Sequence, residues 1–321
     1  MQIVMARGII KHWWRRSLKI AAVWLICALT FFCLFQMALR NSSARSSRIT
    51  QSTGNAIANA EQRSILYTQL AKELDEKGAV FLKQGQTSQS LSLSDLFTIK
   101  DGTLTPVLKV AEPPVRANVL HLSTEFSIPI SEAVKNILLP YFGEAIWFQN
   151  SSMYHFSMFH ASHHITPVPA SEKEIEAEAL AVKEVSKSIC PMHIVLDKVV
   201  LTSTGVLLGC WQVVSGTDPV TVRAKLRSAL PRAPQKQLYN EAMLHTSFAR
   251  LLAPPKKLSE EEKKMSDLQV FHELVSRLNR KIAGLKATVS ELWYVEEFDL
   301  LALALNGNMK IHDFSFGCSE A

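Results

Sequence analysis

The stretch Ser151-Ser152-Met153-Tyr154-His155-Phe156-Ser157-Met158-Phe159 decides how the chain is read. In a strand, alternate side chains share a face. His155, Ser157 and Phe159 then lie on one side, and Tyr154, Phe156 and Met158 form a bulky apolar backing on the other. Leu244-His245-Thr246-Ser247-Phe248 repeats the arrangement. There Leu244, Thr246 and Phe248 back the strand, while His245 and Ser247 face away. Two such strands can bring two imidazoles and two hydroxyls to one cleft. A phosphodiester cleavage needs such a set.

Five of the 10 histidines open a His-x-[Ser/Thr] triplet: His121, His155, His160, His164 and His245. Strand context singles out His155 and His245. If the strand stays regular beyond Phe159, then His160, Ser162 and His164 share the face opposite His155. The two triplets then cannot both line the cleft. His160, His163 and His164 invite a metal reading, but no Asp or Cys at ligand spacing accompanies them. Neither a metal nor a cofactor is expected.

Outward from the two motifs, strands and helices alternate. Asn118 to Leu122 reads as a strand, and Ser131 to Phe142 as a helix capped by Ser131. Ser171 opens a helix with Glu174 completing a capping box. Ile194 to Val200 and Val206 to Val214 are strands. Pro219 to Leu230 is a helix capped by Asp218, and Asp267 to Ile282 is amphipathic. Three strands are expected at the end: Thr288 to Val295, Asp299 to Ala304 and Lys310 to Phe316. Upstream, Ala56 to Lys77 reads as a stalk helix or short coiled coil, and a hairpin is expected to turn at Asp101-Gly102. Glu112-Pro113-Pro114 reads as the boundary of the main domain.

The charge is uneven. Of 35 basic residues eight lie in residues 1–60, which hold no acid, so the rest carries 27 against 29 acidic residues. A body without net positive charge is poorly suited to long nucleic acid. Ile20 to Leu39 is a run of twenty residues without a charge, the length of a membrane-spanning helix. Its N-terminal flank is the more basic, which favours a cytoplasmic N-terminus. The expected layout is a cytoplasmic segment at 1–19, a transmembrane helix at 20–39, a neck, stalk helix and hairpin at 40–114, and the main domain at 115–317. The protein is then a type II single-pass protein of the endomembrane system (ER or Golgi) with a lumenal body; targeting to an organelle is the alternative. The sequon at Asn150 could carry a glycan. Cys190, Cys210 and Cys318 allow at most one disulfide in the body, with no pairing specified.

The order of elements and the two motifs resemble the two-histidine (2H) phosphoesterase superfamily, which includes plant cyclic phosphodiesterases and bacterial RNA ligase-like proteins. The resemblance covers roughly Val115 to Gly317 and is nearest to a plant membrane-anchored subgroup. His155-Phe156-Ser157-Met158 fits the family pattern of histidine, hydrophobic residue, Ser or Thr, hydrophobic residue. His245-Thr246-Ser247-Phe248 departs from it at Thr246. Arg250 matches an arginine often seen after the second motif. The resemblance implies a bilobed α/β (α+β) fold with two pseudo-symmetric sheet lobes around a cleft. It also implies metal-free acid–base chemistry by His155 and His245, with Ser157, Ser247 and Arg250 holding the phosphate. The expected function is opening of 2′,3′-cyclic phosphates on a small nucleotide or short RNA end. The alternative is a catalytically silent, membrane-tethered interaction protein.

Overall fold

The computed structural model describes Thr30 and residues 57–318, apart from residues 86, 88–90, 101 and 102. Apart from Thr30, the predicted span Ile20–Leu39 lies outside the described residues, as does the Asp101-Gly102 turn. Among the described residues no helix is long and apolar enough to cross a membrane.

The described residues from 59 onward form one compact unit. Helix α1 runs through residues 57–77, followed by the short helices α2 (Val80–Gln84) and α3 (Leu93–Leu96). A two-stranded hairpin, β1 (Phe97–Lys100) and β2 (Thr103–Pro106), comes next. The order is then β3 (Val110–His121), α4 (Thr124–Phe142), β4 (Ile146–Phe148), β5 (His155–Ser162), α5 (Glu172–Ser186), β6 (Met192–Leu201) and β7 (Val206–Ser215). It continues with α6 (Pro219–Ala229), β8 (His245–Leu251), α7 (Asp267–Ile282), β9 (Lys286–Val289), β10 (Glu291–Asp299), α8 (Ala302–Leu305) and β11 (Met309–Ser315).

Two larger sheets carry the motifs. One has the order β11-β10-β3-β5 and the other β4-β8-β7-β6-β9. All their pairings are antiparallel. The first motif lies on an edge strand, β5, of one sheet, and the second on β8, inside the other. The largest hydrophobic core joins both sheets to α4, α5, α6 and α7, with Phe156, Trp211, Phe248 and Phe271 among its members.

Two of the three capping predictions hold. Ser171 and Glu174 close a capping box at α5, and Asp218 accepts from the Val220 N–H at α6, where Pro219 opens the first turn. Four expectations fail. The break at Glu112-Pro113-Pro114 is instead the early part of β3, in which Glu112–Pro113 is a cis bond. Helix α4 starts at Thr124, seven residues before Ser131, which is buried inside it, and it runs through Pro129. Ile130, Val134 and Leu138 belong to the main core, and their burial outweighs the hydrogen bond that a proline denies a helix. Asp299 to Ala304 is no strand: β10 ends at Asp299 and Ala302–Leu305 is helical. The expected strand from Thr288 to Val295 is two strands, with β9 in one sheet and β10 in the other.

Candidate active site

Register shows what each motif strand presents. On β3, His121, Val119 and Ala117 alternate on one face and pair with His155, Ser157 and His160. Val119 opposes Ser157 and Asn118 opposes Phe159, so Met158 is an extra residue, a β-bulge. A bulge shifts the alternation by one. Phe159 therefore turns into the main core, and His160 joins the face of His155 and Ser157. Both placements correct the sequence expectation, which kept the strand regular. In β8 the partners of Cys210, Leu208 and Val206 are His245, Ser247 and Arg250, with Phe248 as the extra residue. Without that bulge Arg250 would face away from His245.

Arg223 on α6 holds the motif strands together. Its Nη2 donates to the carbonyls of Ser157 at 2.9 Å and Met243 at 2.8 Å. Its Nε donates to Met158 at 3.0 Å and its Nη1 to Glu241 at 2.5 Å. One buried guanidinium thus ties the bulge of β5 to the residues leading into β8. Burial lowers its pKa to about 10, so it stays charged at neutral pH. Nothing in the sequence distinguished Arg223 from the other arginines, because its partners are main-chain carbonyls.

Residues 230–244, between α6 and β8, pass over the two motifs. Gln237 accepts from the His160 N–H at 2.7 Å and donates to the His160 carbonyl at 3.1 Å. Tyr239 places its ring 4.8 Å from that of His245 and 6.5 Å from that of His160. Sequence reasoning missed Tyr239 and Gln237 because they carry no motif and lie on an irregular segment.

The imidazoles differ in their surroundings. Nδ1 of His155 donates to the Met153 carbonyl at 2.8 Å, which leaves Nε2 for a ligand. Burial lowers its pKa, against the help of that carbonyl, and the nearby His121 lowers it further. His245 is 7 % exposed, and its Nδ1 is buried with no hydrogen-bond partner. Burial, Arg223 and His155 lower its pKa to about 3. The pKa of His160, 8 % exposed, is lowered to about 3 by burial and by His163, His164, His155 and Arg223. Arg250 stays cationic with a pKa lowered by burial to about 10, and its Nη1 is buried without a partner. Such orphaned buried donors are costly unless a ligand satisfies them.

His163 accepts from the Thr166 N–H at 3.1 Å through Nδ1 and donates to the Lys236 carbonyl at 3.2 Å through Nε2. Among the described residues no group of three or more His, Cys, Asp or Glu is placed to hold a metal ion. Asn150 is exposed and caps a short 3₁₀ turn, accepting from the Ser152 N–H and Oγ. Cys190 and Cys318 form a disulfide, with Cα atoms 4.5 Å apart, and Cys210 is a buried free thiol.

The fold is a mixed α/β domain in which two antiparallel sheets each carry one His-x-Ser strand. No family model matches the chain, and no curated protein matches it. Solved structures do. It is similar to TT0787 of Thermus thermophilus, with 13 % identity over 64 % of this chain and 100 % of that one, at a TM-score of 0.44. It is similar to E. coli LigT complexed with 3′-AMP, with 12 % identity over 65 % and 99 %, at a TM-score of 0.37. A structure described as a phosphoesterase shares 14 % identity over 64 % and 99 %, also at 0.37.

Proposed function

We propose that the protein is a phosphodiesterase that opens 2′,3′-cyclic phosphates of small nucleotides or short RNA ends by two-histidine acid–base catalysis. The observation that carries this is Arg250, whose buried Nη1 has no partner, on the face of His245 and Ser247, with His155 near enough to His245 to act on it electrostatically. A phosphodiester anion would satisfy that donor, since a guanidinium pairs well with phosphate oxygens. Ser157 and Ser247 point from the same faces and would donate to the non-bridging oxygens.

The two histidines take different parts. The Met153 carbonyl favours a proton on both nitrogens of His155, whereas no acceptor supports a second proton on His245. His245 is therefore the base and His155 the acid. His245 takes a proton from water as its oxygen bonds to phosphorus. The bond from phosphorus to one ribose oxygen breaks, and Nε2 of His155 gives that oxygen its proton. The bound anion raises both imidazole pKa values from their depressed resting state.

The test is turnover of 2′,3′-cyclic nucleotides by the full chain. His155→Ala and His245→Ala should each lower it by about 10²–10⁴-fold. The burial of His245 under Tyr239 favours the second reading, a catalytically silent tethered protein. Absent turnover by the parent, or equal turnover by the variants, decides for that reading.

The proposed setting is a lumenal body on a type II anchor at 20–39. The Cys190–Cys318 disulfide supports it, because disulfides persist in oxidising compartments. Exposure of the Asn150 sequon is consistent with it. Protease added to intact microsomes should leave the body uncut; its digestion from the cytosolic side would refute the placement.

A further inference from the structure

The two half-sites are built alike. Each has a histidine, a serine two residues on, a bulged residue at the third position, and a fifth residue returned to the histidine's face. In β8 that fifth residue is Arg250, and in β5 it is His160. The matched bulges make these two residues counterparts. Both sit by the same ring, since Tyr239 lies 6.5 Å from His160 and interacts electrostatically with Arg250. The main chain of His160 is pinned on both sides by Gln237.

A site with two equivalent halves could bind a cyclic phosphate in two orientations. It must lose its symmetry somewhere to favour one leaving oxygen. We infer that His160 and Arg250 are the symmetry-breaking pair, with Arg250 facing the phosphoryl oxygens and His160 the ribose hydroxyl side. This rests on the phosphodiesterase reading. The chemistry of the two groups supports the division. A guanidinium has five donors and no acceptor, which suits an anion; a neutral imidazole has one donor and one acceptor, which suits a hydroxyl. The leading electrostatic influences on His160, from His163, His164, His155 and Arg223, all disfavour its protonation.

The experiment compares the binding of adenosine 2′-monophosphate and adenosine 3′-monophosphate to the full chain by calorimetry. The parent should prefer one isomer by about tenfold, the worth of one hydrogen bond to a neutral partner. His160→Gln keeps a donor and an acceptor and should keep the preference. His160→Ala and His160→Arg should reduce it to less than about twofold. Circular dichroism checks that each variant is folded, and if His160→Arg is not, the contrast between Gln and Ala decides. An unchanged preference in His160→Ala overturns the inference, as does equal binding of the two isomers, or binding of neither, by the parent. Failure of the phosphodiesterase reading is read elsewhere, in the turnover of the His155→Ala and His245→Ala variants.

Discussion

His160 and His245 are neutral, buried bases, and this makes stability depend on pH. Both have an ordinary value of 6.5 that the fold lowers to about 3. Between those values the unfolded chain binds protons that the folded chain refuses. Stability is therefore full above pH 6.5 and falls as the pH drops, by at most about 1.4 kcal/mol per imidazole per pH unit. Glu297 opposes the trend. Burial raises its pKa to about 7, so its contribution weakens as the pH rises from the ordinary carboxylate range. Comparison with a His160→Gln, His245→Gln double variant isolates the imidazoles. Urea midpoints of the parent should fall between about pH 7 and about pH 5 more steeply than those of the double variant. Equal slopes would show that the two rings are solvated.

The bulge in β8 depends on a glycine across the ladder. Gly209 pairs with Thr246 beneath Phe248, and a Cβ there would lie 2.2 Å from Cζ of the Phe248 ring. Gly209→Ala should force Phe248 out of place, cost about 1–3 kcal/mol by overpacking, and lower turnover by moving Arg250. Chemical denaturation and the cyclic-nucleotide assay check both parts; an active variant of parental stability would mean that the bulge does not rest on Gly209. Helix α1 acts on the same strand. The Tyr67 hydroxyl lies 2.8 Å from the carbonyls of Trp211 and Leu244 and accepts from the Leu244 N–H. Arg63, 1 % exposed, pairs with Asp218 and Gln212. These elements show what the sequence could tell. Capped helices such as α5 and α6, and the strand character of the two motifs, follow from local chemistry and were legible. The bulges were not, because they answer to the register of neighbouring strands. Helix α8 was not either: Gln149 donates to Leu303 and Trp147 to Ala304, each across a separation of more than 150 positions. His155, Ser157, His245 and Ser247 could be read from alternation alone. Arg250 came from a resemblance, and the role of Arg223 needed tertiary contacts.

The disulfide ties the C-terminal end of the described chain to the turn after α5. Phe316 donates to Ser290, Gly317 to Ser186 and Cys318 to Ile189, so the segment is also laid down by main-chain bonds. Cys190 and Cys318 are 128 residues apart, and a crosslink over so long a loop mainly restricts the unfolded chain. Cys318→Ser should cost about 2–5 kcal/mol while leaving turnover at saturating substrate within about twofold, because the bond lies away from both motifs. A thermal melt with and without reductant checks it; a parent indifferent to reductant would mean the bond contributes nothing.

Strand order fixes when each half of the site can be finished. The sheet holding His245 is complete once β9 is made, at Val289. The sheet holding His155 draws β3 and β5 from early in the domain and waits for β10 and β11, the last strands among the described residues. Between those times β3 has only β5 to pair with, and its other edge is open. During synthesis on a ribosome, His155 is made before His245, yet its sheet is the later of the two that can be completed.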